Sequence, residues 1–200
     1  MALLFVGPRE PSYHGGSLTD WLYSTIALTE FSDDPEHPVG ERGRAIRAFG
    51  TNALPKMVSM VGSSDGKIKN KLIELVNGQK IIHAHIRTAK EKHGFALIAF
   101  ATLGTNAAPA APELIKLTKH SDAEVRFFAL WSLDYLHVGE DVWLSVLKDC
   151  LQDPSAKVHK KATGIILGEY PEKAEQLGVY QLFPELKPQT TNSPPQTAVK

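Results

Sequence analysis

The sequence predicts an all-α fold: an α-solenoid of roughly four stacked helical hairpins, wound as a right-handed superhelix. Three observations carry the prediction. A six-residue phrase occurs twice, as Gly50-Thr51-Asn52-Ala53-Leu54-Pro55 and as Gly104-Thr105-Asn106-Ala107-Ala108-Pro109, with five of six positions identical. An apolar i, i+4, i+8 stripe of Val125, Ala129 and Leu133 recurs 33 residues on (158 − 125) as Val158, Ala162 and Ile166. No segment shows a sustained strand alternation, Lys80 to His85 being a short exception. Units of this length, each of two helices, bury a continuous core only when they stack.

Residues 1–16 read as an N-terminal arm that opens on the apolar run Met1 to Val6. The run is shorter than a signal-peptide core and has no charged flank, so a cytoplasmic location is the default expectation; export or anchoring would follow if the run were the stub of a truncated segment. The solenoid is expected over 17–186. Ser17-Leu18-Thr19-Asp20 has the pattern of a capping box, in which the first hydroxyl and the fourth carboxylate each bond the other's amide. The first hairpin is expected as helices 17–31 and 39–49. In the repeated phrase, Gly closes one helix in a left-handed conformation, Thr or Asn caps the next, and Pro fits its first turn. The second hairpin is 52–62 with 88–103, interrupted by an insert at 63–87 that holds an extra helix near 66–76. The third is 107–119 with 122–137, the fourth 140–152 with 155–168. A terminal helix near 172–185 would cap the stack. Residues 187–200 are polar and proline-rich and are expected to be disordered.

Lys+Arg and Asp+Glu are 22 each, a zero balance that argues against a dedicated nucleic-acid binder. No stretch approaches the roughly 20 apolar residues of a membrane span. The single cysteine, Cys150, builds neither a disulfide nor a cysteine-rich zinc site and reads as a small buried hydrophobe. The histidines lack metal-ligand spacing: His83 and His85, at i, i+2, do not face each other on a helix, and with His93 they read as solvated or hydrogen-bonded. No Gly-x-Ser-x-Gly elbow is present, and Gly62-Ser-Ser-Asp-Gly66 lacks the ending of a phosphate loop. Asp33-Asp34, Glu140-Asp141 and Glu172 with Glu175 fall where helix caps and dipoles want carboxylates. No catalytic residue, cofactor or metal is expected.

Ala108-Pro109 to Leu117, followed by Asp122-Ala-Glu-Val-Arg126 and an Ala-containing helix, resembles the short bacterial form of the HEAT repeat. Ser17-Leu-Thr-Asp-Trp-Leu22, the Gly50–Pro55 corner and the basic, His-containing segment Ile81 to Arg87 resemble uncharacterised HEAT-repeat domain proteins of verrucomicrobial-type bacteria. His159 stands where that pattern usually has Arg. The resemblance covers about residues 12–186. It implies a helical-repeat solenoid and no chemistry residue by residue.

The expected function is a non-enzymatic protein–protein interaction scaffold, monomeric, with another protein as partner. Residues 122–136 supply the candidate surface. Its core stripe takes Val125, Phe128, Ala129, Ser132, Leu133 and Leu136, which leaves Phe127, Leu130, Trp131 and Tyr135 for the concave face beside Arg126. With Lys160 and Lys161 these are the candidate partner-binding residues; the competing reading packs the aromatics against the neighbouring repeat. Arg44, Arg47, Arg87, Lys90, Lys92, Arg126, Lys160 and Lys161 could gather into a basic concave stripe, the basis of an alternative nucleic-acid reading. HEAT-like solenoids also include bilin lyases and DNA glycosylases, so an enzyme or enzyme subunit is the other alternative.

Overall fold

Among the described residues, four pairs of helices follow one another along the chain. They are seen in a computed structural model that describes residues 11–23, 40–66, 71, 75–76 and 87–188. Helices α1 (Leu18–Tyr23) and α2 (Glu41–Phe49) form the first pair, α3 (Leu54–Val61) and α4 (Ala89–Leu103) the second. Helices α5 (Ala111–Leu117) and α6 (Ala123–Asp134) form the third, α7 (Glu140–Leu151) and α8 (Ala156–Glu169) the fourth. Partners within each pair pack together, and the second helices also pack in succession, α2 on α4, α4 on α6 and α6 on α8. The described part is therefore mostly helical.

The close approach of the second helices comes from small residues. Ala45, Ala96, Ala99, Ala129 and Ala162 are fully buried, and Ile46, Phe100, Leu133 and Ile166 fill the space beside them. Most of the expected α6 stripe, Val125, Ala129, Ser132, Leu133 and Leu136, is buried; Phe128 is half-buried.

Both glycine corners have positive φ, at 52° for Gly50 and 53° for Gly104. Their ψ values of −133° and −131° put them outside the left-handed helical region that was expected, in a region open to glycine because it has no Cβ. Neither Thr nor Asn caps the following helix. A 3-10 turn runs straight on instead, over Gly50–Ala53 and Gly104–Ala110, so the amides find carbonyl partners without a side chain. Pro55 sits in the first turn of α3, as expected; Pro109 lies inside the longer 3-10 turn, and Pro112 takes that place in α5.

The Ser17–Asp20 capping box forms: the Ser17 amide donates to Asp20 Oδ2 at 2.9 Å and the Asp20 amide to Ser17 Oγ at 3.2 Å. A second box, Thr88 with Glu91, opens α4. Two elements differ from expectation. The arm contains a small antiparallel hairpin, β1 (Ser12–Tyr13) with β2 (Gly16–Ser17). Its turn residues His14 and Gly15 have φ of 46° and 79°, and Trp21 Nε1 donates to the Tyr13 carbonyl to tie it down. The expected terminal helix 172–185 is broken into α9 (Ala174–Leu177) and α10 (Val179–Leu182), because Gly178 turns left-handed at φ 89° and Pro184 follows. Of the insert, Lys71, Leu75 and Val76 are helical. The expected helical stretch 24–31, His83, His85 and the tail from 189 lie outside the described residues.

Within Ala89–Leu117 an 18-residue window has mean hydropathy 1.3, enough by length and composition alone to cross a membrane. The positive φ of Gly104 breaks it into separate helices, and Ala96, Phe100, Leu103 and Leu114 are spent on the core.

Candidate partner-binding surface

Helix α6 starts at Asp122, whose Oδ1 accepts from the Glu124 amide at 2.9 Å. From that start, residues 127, 128 and 131 come round to the edge of α6 that faces α8. Phe127, Phe128 and Trp131 are half-buried and form one aromatic cluster. The Phe127 ring meets Phe128 and Trp131 edge-on, with centroids 5.2 and 5.4 Å away, and Phe128 stacks on Trp131 at 6.3 Å. Two lysines of α8 cover the rings: Lys157 Nζ lies 4.3 Å from the Phe127 centroid and Lys161 Nζ 5.2 Å from that of Trp131. Each lysine is held by a carboxylate of α6, Lys157 by Glu124 at 2.6 Å and Lys161 by Asp134 at 2.8 Å. The cluster is thus neither free surface nor core. It is a ridge whose ring faces carry cations from the next hairpin.

Two candidate residues are corrected. Leu130 is fully buried, because α6 packs between α4 and α8 and its buried arc is wider than one stripe. Arg126 does not stand beside the aromatics as an exposed contact. Its side chain is 12 % exposed and forms a bidentate pair with Asp153, itself 7 % exposed, at 2.7 and 2.8 Å. Its Nη1 donates to the carbonyls of His120 and Ser121. Every nitrogen of this guanidinium has a partner, so its work is joining the third hairpin to the fourth. Tyr135 is half-buried and Lys160 is exposed.

Three of the basic residues proposed for a stripe are already paired. Arg44 pairs with Glu41, Arg126 with Asp153 and Lys161 with Asp134. Arg87 lies over the Tyr23 ring at 4.3 Å and shares an open hollow with Lys92 and Asp20.

His93 is buried; its Nε2–H donates to the Ser63 carbonyl at 2.7 Å, its ring packs on Phe128, and its Nδ1 has no partner among the described residues. Burial lowers its pKa, offset in part by the Ser63 bond. Among the described residues no group of three His, Cys, Asp or Glu is arranged to hold a metal. Burial pushes the Cys150 thiol up to about 12, so it stays protonated at neutral pH and is a poor nucleophile. A small cavity of about 100 Å³ holds Asp134, Glu140 and Glu169 between Trp143 and Tyr170. Two of those carboxylates already pair with lysines, Asp134 with Lys161 and Glu140 with Lys173.

No family model, curated protein or solved structure matches the chain.

Proposed function

We propose that the chain is a HEAT-type α-solenoid, a right-handed superhelix of about four hairpins, and that it serves as a non-enzymatic scaffold for another protein. The pairing of α1 with α2 through α7 with α8, the row of second helices and the twin glycine corners support the solenoid reading. The half-exposed aromatic ridge of Phe127 and Trp131 under Lys157 and Lys161 is the observation that carries the binding function. Aromatic rings rimmed by charge are the composition of energetic centres in protein interfaces. The nucleic-acid reading is weaker, since three of the cations proposed for its stripe already have carboxylate partners. An enzyme on the pattern of bilin lyases or DNA glycosylases would need a deep acidic pocket beside Trp131, and the acidic cavity lies instead beside Trp143 and Tyr170.

The test is affinity capture by the intact chain, with and without nuclease, followed by mass spectrometry. A stoichiometric protein partner retained after nuclease treatment is the expected result. Capture lost with nuclease, together with binding that weakens steeply as salt rises, would favour the nucleic-acid alternative instead.

A further inference from the structure

Helix α8 carries its charges the wrong way round for its own stability. Carboxylates normally sit in a helix's first turn and cations in its last, where they offset the macrodipole. Helices α2, α5 and α7 follow that rule at both ends: Glu41 and Arg47, Glu113 and Lys116, Glu140 and Lys148. Helix α8 has Lys157 in its first turn with no acid, Lys160 and Lys161 directly after, and Glu169 as its last residue with no base. Lys157 and Lys161 are offset by carboxylates of α6, which leaves Lys160 and Glu169 to add to the dipole of α8 instead of cancelling it.

Lys160, Lys161 and Glu169 line an open groove along α8. Lys160 and Lys161 stand at one end and Glu169 at the other, with Gly164, Ile165 and Gly168 between them. Lys160 to Glu169 spans nine residues, about 13 Å at helical rise. Neither of these two has an ion pair among the described residues, whereas Lys157 and Lys161 are held by α6. Among the described residues nothing lies within 4 Å of where a Cβ would stand on Gly164 or Gly168, so the floor is open to them. The groove also holds Asp134, which pairs with Lys161, and it shares Asp134 and Glu169 with the cavity walled by Trp143 and Tyr170, where the unpaired Glu169 suits a cationic side chain.

We propose that this groove receives a helix of the partner protein, lying antiparallel to α8. Its carboxyl end and acidic residues rest over Lys160, and its amino end and an arginine or lysine rest by Glu169. The inference rests on the scaffold reading and names the partner's chemistry. Charge complementarity carries it: a reinforced dipole attracts an oppositely directed one and repels a parallel one. The inverted charges, which cost α8 stability when alone, become attractive contacts in the complex.

Two labelled amphipathic peptides of about 16 residues, enough for measurable helicity, provide the probe. They share one composition. One carries arginines toward its amino end and glutamates toward its carboxyl end; the other is reversed. Fluorescence anisotropy at low salt should show the first binding the full chain at least about tenfold tighter. Lys160→Glu should erase that preference. Gly164→Leu, whose side chain enters open space, should leave the melting temperature unchanged or raised and abolish binding. Equal binding of both peptides, no binding of either, or full binding by Gly164→Leu would each overturn the groove. Failure of the scaffold reading looks different: the intact chain then captures no protein at all. A natural partner captured equally by wild type and Gly164→Leu would leave the scaffold standing and remove the groove.

Discussion

Gly50 and Gly104, in successive hairpins, share one backbone conformation, with φ of 52° and 53° and ψ of −133° and −131°. Neither position would crowd a Cβ, since none of the described residues lies within 4 Å of it. The requirement for glycine is therefore the torsion angle and not space. Gly104→Val should cost about 1–3 kcal/mol, the scale of a residue held in a sparsely allowed region. Gly104→Ala should fall in the same range despite its smaller side chain, because both carry a Cβ. Urea unfolding checks both; an alanine variant as stable as wild type would mean the corner tolerates a side chain.

Arg126 and Asp153 make a second link between hairpins, and it titrates. Burial raises the Asp153 pKa, but hydrogen bonds from Arg126 and the Ser155 amide, with the Arg126 charge, outweigh it and hold the carboxyl below its ordinary 3.8. A carboxylate with a depressed folded pKa adds stability that is complete above its unfolded value and is lost as pH falls through the folded one. Acid should therefore weaken the wild type below about pH 4. Asp153→Ala leaves a nearly buried guanidinium without its partner and should cost about 3–5 kcal/mol at neutral pH. Its denaturation midpoint should also depend less on pH in the acid range than that of wild type.

The hairpin order was legible because its punctuation is chemical. A positive φ combined with ψ near −130° is open to glycine almost alone, so the corner at Gly50 leaves a mark that repeats at Gly104. The stripe from Val125 to Leu133 was legible because packing in one direction has a helical period. Leu130 was not, because a single stripe describes one buried face and α6 is flanked on two sides. The 33-residue offset held the missing information: it pairs Leu130 with Thr163, and both are buried. The partner of Arg126 lies 27 residues away, beyond any local pattern. The hairpin at Ser12–Ser17 is too short to show alternation and is marked only by His14-Gly15. The lysines of α8 stand plainly in the sequence, but which face of that helix remains open depends on what packs around it.

Leu130 and Trp131 are neighbours in sequence with unequal stakes. Leu130→Ala removes a fully buried side chain and should cost about 3 kcal/mol or more, as cavity-forming changes do. Trp131 is half-buried under Lys161, so Trp131→Ala should cost about 1–2 kcal/mol, less than a core aromatic. If the ridge is an interface, the tryptophan variant should also lose most partner capture, by about 2 kcal/mol or more. Chemical denaturation and capture on the same two variants separate the roles. A Trp131→Ala protein destabilised as much as Leu130→Ala would make the ridge part of the core.

His93 gives the fold a second pH-dependent point in a different window. Its Nε2–H bonds the Ser63 carbonyl, and its buried Nδ1 has no partner among the described residues. A second proton would have to enter at Nδ1 and place a charge there, which burial opposes; its pKa is lowered from 6.5 for that reason first. The unfolded chain takes up this proton more readily than the folded one as pH falls below 6.5. Stability supplied by neutral His93 is thus complete above that value and declines as pH drops toward the folded pKa. His93→Gln keeps a donor for Ser63 and removes the titration. Melting temperatures between about pH 7 and pH 5 should fall more steeply for wild type than for His93→Gln, above the range in which Asp153 contributes. Identical slopes would show that the imidazole accepts its proton in place, with Nδ1 reached by water.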